Sequence, residues 1–149
     1  VPVTDYTPEL ADVAAVAATR TKDKYGNVTG TFSDATTPTD AQVEVLIADA
    51  VDKVSIRIGD DIPEGLFEDA KDVAALRTAM LIESTYFPEQ MQNSRSPYTV
   101  LKAQFDEDMQ DLLNSIFSVS TGGSLSDPPT PNAPRGAFPP ATPWLTRPM

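Results

Sequence analysis

Prolines divide this chain in two. Eight of the 14 lie in the last 32 of its 149 residues, at positions 128, 129, 131, 134, 139, 140, 143 and 148. Each removes a backbone N–H and fixes φ, so this stretch can be neither a helix nor a central strand. Residues 118–149 are therefore predicted to form an extended, polyproline-like arm, with Gly122-Gly123 as a flexible joint. The other prolines stand singly along residues 1–117, where they punctuate regular structure instead of forbidding it. Charge changes at the same boundary. Residues 1–117 hold 9 basic and 21 acidic side chains, whereas the arm holds Arg135 and Arg147 against Asp127.

Caps and periodicity place three long helices in the first part. Thr39 with Gln42 three residues on has the spacing of a capping box, and Pro38 blocks an earlier start. Val43, Leu46, Ile47, Ala50, Val51, Val54 and Ile58 then recur on one helical face, and Gly59 ends the run. A second helix is predicted to open at Asp61-Ile62-Pro63-Glu64, with acids at the positive end of its dipole. Its stripe is Leu66, Phe67, Ala70, Val73, Ala74, Arg77, Met80 and Leu81, and it ends before Pro88. The third is capped by Ser96 with Pro97 in its first position and has the stripe Leu101, Phe105, Met109, Leu112 and Ile116.

Ahead of these, Thr7-Pro8-Glu9 opens a short Ala-rich helix at about residues 8–18. Residues 20–32 alternate weakly around Asp23-Lys24-Tyr25-Gly26-Asn27, which predicts a small β-hairpin. The expected fold is mainly α. It is a small helical bundle of three longer helices and one short N-terminal helix, with a small hairpin, occupying residues 1–117 and followed by the arm.

Composition narrows the chemistry. The chain has no Cys and no His, which removes thiol nucleophiles, Ser-His-Asp triads and Cys/His zinc sites. Its net charge of −11 repels phosphate, unlike the basic stripe of a nucleic-acid-gripping protein. Carboxylates are abundant at Asp49 and Asp52, at Asp60-Asp61, and at Asp106-Glu107-Asp108 with Asp111. They fall on polar helix faces or at caps, with no partner group for general acid–base work. The oxygen spacing of a calcium loop is missing around residues 23–26. Residues 1–20 lack a basic region ahead of the Ala-rich stretch and do not read as a signal peptide, and no run suits a spanning helix. The expectation is a soluble acidic protein that is not an enzyme, with no catalytic residue, cofactor or metal.

The wording of the helix boundaries carries more. Thr37-Pro38-Thr39 precedes one helix and Gly59-Asp60-Asp61-Ile62-Pro63 separates two. The run Ala74-Ala75-Leu76-Arg77-Thr78-Ala79-Met80-Leu81-Ile82-Glu83 follows, then Tyr86-Phe87-Pro88-Glu89-Gln90 and Ser96-Pro97-Tyr98. In this order they resemble the head-to-tail adaptor proteins of tailed bacteriophages, in particular those of actinobacterial siphophages, over roughly residues 5–117. The resemblance implies a structural virion protein of the neck, present in the host cytoplasm during assembly. It implies a ring, usually dodecameric, beneath the portal protein, extending the DNA channel and joining the capsid to a stopper or other tail protein. DNA would pass through without specific binding, and no membrane is involved.

A ring subunit needs surfaces for its neighbours. Val45 and Ile56 lie off the apolar stripe of their helix, and Arg135, Phe138, Trp144, Leu145 and Arg147 are the arm's anchoring residue types. These seven are the candidate contacts with other subunits or the portal. A competing expectation is a monomeric binding module whose clusters Pro128-Pro129-Thr130-Pro131 and Pro139-Pro140-Ala141-Thr142-Pro143 present an extended ligand to a partner domain.

Overall fold

A computed structural model describes residues 5–59 and 61–121, so the arm and its five candidate contacts, from Arg135 to Arg147, lie outside the described residues. Four α-helices follow in order: α1 (Leu10–Val16), α2 (Asp40–Ile58), α3 (Phe67–Tyr86) and α4 (Pro97–Ser120). Single 3₁₀ turns at Ala18–Arg20, Glu64–Leu66 and Pro88–Gln90 join them.

The helix ends are set by local chemistry. At the start of α2 the Gln42 N–H donates to Thr39 Oγ1 at 3.3 Å, and the Thr39 N–H donates back to Gln42 Oε1 at 3.0 Å. Together they satisfy two donors that a helix start leaves free. At its other end Gly59 takes φ +83° and ψ 172°, a combination essentially confined to glycine. Ser96 caps α4 by accepting the Thr99 N–H, with Pro97 next.

Helix α3 is the centre of the bundle and packs against α1, α2 and α4. The single stripe expected for it is too narrow. Ala75, Leu76, Thr78, Ala79, Ile82 and Glu83 are also buried, so the helix is enclosed on nearly every side. Leu81, expected in the core, is half-buried, whereas Ile82 is wholly inaccessible. Alanines at 70, 74, 75 and 79 keep α3 thin enough for three neighbours to reach it. Its start also differs from expectation, because the segment at 64–66 winds as a 3₁₀ turn and regular α-helix begins at Phe67. By contrast, α2 and α4 bury one face each, and every residue of their expected stripes is buried or half-buried.

The hairpin expected at 20–32 does not form a sheet. Among the described residues there is no strand, only the isolated antiparallel bridges Lys22↔Val28 and Asp23↔Thr36. The tight turn itself is present. Asp23 Oδ1 accepts the N–H groups of Tyr25 and Asn27, both at 2.9 Å, and Gly26 supplies φ +82°. Side chains then take backbone groups that a ladder would need. The Gly30 N–H donates to Thr21 Oγ1 and the Ser33 N–H to Thr36 Oγ1, each at 2.9 Å. Val28 is 55% exposed, so no apolar face drives strand pairing.

A buried ion pair helps tie the N-terminal third to the bundle. Arg20 Nε and Nη2 donate to the two Glu83 carboxylate oxygens at 2.6 and 2.8 Å, and both residues are buried. The guanidinium also lies 4.0 Å from the Phe87 ring centroid and donates to Gln90 Oε1. The Tyr86-Phe87-Pro88-Glu89-Gln90 run thus stops α3 and completes this cluster.

Two measurements test this architecture. By chemical denaturation, Ile82→Ala should cost about 2–5 kcal/mol as a cavity substitution, and Leu81→Ala distinctly less. Glu83→Ala, which strands a buried guanidinium, should cost about 3–5 kcal/mol, while replacing both partners by apolar residues of similar volume should cost far less.

Candidate interaction surface

Among the features that the described surface offers for recognition are an exposed aliphatic pair on α2 and an acidic cleft. On the outer side of α2, Val45 and Ile56 are 69% and 70% exposed. They stand 11 positions apart, close to three helical turns, and therefore share a face about 16 Å long. Asp49 and Asp52 lie between them on that face. Both apolar side chains point away from the core, as their displacement from the stripe predicts.

The acidic feature lies between α3 and α4. Asp69 and Asp72 from α3 and Asp108 and Asp111 from α4 line a cleft of about 300 Å³. Asp72 and Asp108 also line a neighbouring groove of about 640 Å³, which α1 closes from the other side with Asp12, Ala15 and Val16. No Lys or Arg lines either space. Asp12 is neutralised by Lys71, 3.5 Å away, but neither Asp72 nor Asp108 has an ion-pair partner among the described residues.

Crowding shows in the proton affinities. Partial burial, then the charges of Glu68, Asp69 and Asp12, hold the Asp72 carboxyl above its ordinary value of 3.8. Partial burial, then Glu107, Asp111 and Asp69, do the same for Asp108. Lys71 is raised by the facing Asp12 and Glu68. Asp23 is lowered, chiefly by the Asn27 N–H it accepts.

The cleft gathers carboxylates of one kind, with the Ser115 hydroxyl beside them. Among the described residues no three acidic side chains converge to hold a metal ion, and no helix is long and apolar enough to cross a membrane. What the cleft can do is repel anions and attract a cationic, partly apolar chain.

Sequence reasoning picked Val45 and Ile56 but not the groove, because the acids of α3 and those of α4 lie some 36 positions apart. It also passed over three other exposed apolar residues on α4: Val100, Phe117 and Val119 at 64%, 68% and 44% exposure. Their signal was available, since none falls on the stripe from Leu101 to Ile116.

The proton affinities give a direct check. Carbon-detected NMR titration should place Asp72 and Asp108 above 3.8 and Asp23 below it. For Asp72 and Asp108 the folded state holds the proton more tightly than the unfolded chain. Their destabilising contribution is fully present above the raised folded value and is relieved as pH falls towards and below 3.8. Asp23 acts in the opposite sense, stabilising above 3.8 and losing that contribution as pH falls through its lowered value.

No family model, curated protein or solved structure matches this chain.

Proposed function

We propose that this chain is a structural virion protein, a head-to-tail adaptor that assembles as a ring beneath a portal and joins the capsid to the tail. The observation that supports the reading is the outer face of α2, where Val45 and Ile56 stand about 70% exposed on either side of Asp49 and Asp52, a mixed apolar and polar surface of the kind a neighbouring subunit can cover. In a ring, each subunit covers this face with its neighbour. Its arm, through Arg135, Phe138, Trp144, Leu145 and Arg147, reaches the portal or an adjacent subunit.

The acidic cleft supports the same role. A wall carrying Asp69, Asp72, Asp108 and Asp111 offers passing DNA repulsion in place of counterion-releasing contacts. Non-specific adhesion inside a conduit is thereby avoided. No turnover is required of the protein, and no cofactor takes part.

Assembly on purified portal, followed by native mass spectrometry and microscopy of the neck, tests the reading. The wild-type chain should form a closed ring on the portal. Val45→Glu with Ile56→Glu should reduce incorporation by about tenfold or more, equivalent to about 1.4 kcal/mol, and leave the helical circular-dichroism spectrum unchanged. Wild-type chains that remain monomeric beside the portal, or double variants that assemble normally, would overturn it.

A further inference from the structure

The groove between α1, α3 and α4 is largely apolar, with Asp72 and Asp108 also in its lining. Its buried lining is Ala17, Ala75, Leu76 and Glu83, the last paired with Arg20, and Val100 is exposed. With Lys71 held by Asp12, the groove retains two carboxylates, Asp72 and Asp108, without a cation. Such a site is complementary to an apolar side chain followed closely by a guanidinium. A second copy of the folded unit, with a net charge of −12 over residues 1–117, suits this acidic groove less well than the arm does.

One segment of this chain has the required composition. Trp144-Leu145-Thr146-Arg147 joins two large apolar side chains to a cation within four residues, and residues 118–149 contain a single acid, Asp127. Reach is sufficient. Val100 lies 21 residues before Thr121 on or beside α4, about 32 Å at the rise of an α-helix. The 23 residues from Thr121 to Trp144 can extend to about 71 Å at polyproline rise, enough to turn back along α4.

We propose that in the free subunit this groove is occupied by the chain's own C-terminal segment, with Trp144 and Leu145 against Ala75, Leu76 and Val100 and Arg147 beside Asp72 and Asp108. Tethering makes the contact intramolecular, at an effective concentration on the order of millimolar, so a modest interaction suffices. The prolines lower the entropy lost on docking because the free arm is already restricted. A partner that takes the arm uncovers the groove, so the two surfaces become available together. The adaptor reading is not needed for this proposal.

Trp144 is the single tryptophan and reports directly on the arm. In the full-length chain at low concentration, its emission should be blue-shifted relative to the urea-unfolded chain and protected from acrylamide quenching. Val100→Lys alters an exposed position and should abolish both effects while the circular-dichroism spectrum persists. Asp72→Asn with Asp108→Asn, which relieves charge crowding in the fold, should weaken them too, as should raised salt. Emission equal to that of the unfolded chain overturns the proposal. So does protection that rises with protein concentration, which would place another copy's segment in the groove, and so does protection indifferent to both sets of substitutions.

Discussion

Burying Glu83 commits the fold to delivering a cation to it. The carboxylate lies on α3, enclosed by three other helices, where an unpaired charge would cost several kcal/mol. Arg20 arrives from the short turn after α1 and meets it with two parallel hydrogen bonds. Its planar fork suits that geometry as a lysine would not, and Phe87 covers the guanidinium face. The contact joins the turn after α1 to the end of α3, beside the buried Val13 and Ala14 and the Asp12–Lys71 pair that also hold α1 in place. A hydrophobic pair of similar volume would hold the same elements together at least as tightly.

The boundaries of α2 and the start of α4 were legible in the sequence because they are local, whereas α3 begins at Phe67, later than its Asp61–Glu64 signal indicated. The Thr39–Gln42 box, Gly59 after α2 and the Ser96-Pro97 start of α4 each require only neighbours within about four residues. The one-sided stripes of α2 and α4 were legible for the same reason. The environment of α3 was not, since beyond its first two turns, where Glu68, Asp69 and Asp72 are exposed, few polar side chains mark its orientation. A clue did exist in Glu83, which follows Ala79 by four positions and Met80 by three and so falls among buried side chains. A charge in that register requires a partner, yet nothing local points to Arg20. The hairpin failed on a different account. Alternation and a good turn were present, but Thr21, Thr36 and Asp23 spend the backbone's hydrogen-bonding groups on side chains.

The recognition surfaces follow the same division. Val45 and Ile56 could be identified because both sit on one helix and depart from its own stripe. The acidic cleft joins α3 to α4 and exists only once they pack. Its carboxylates are kept close by apolar contacts beneath them, Val73 and Leu112 among these. Packing energy thus maintains a local field that the acids by themselves would disperse.

The Arg20–Glu83 contact spans 63 positions of sequence, whereas α2, α3 and α4 each pack on a sequence neighbour. This asymmetry falls on loop closure. During synthesis α1 emerges before the helix that receives it, and its seven residues are too few to persist as a helix alone. Docking of α1 closes the longest loop in the bundle and bears the largest closure entropy. Among the helix contacts of the bundle, the one that gives Glu83 its buried cation therefore carries the heaviest closure cost.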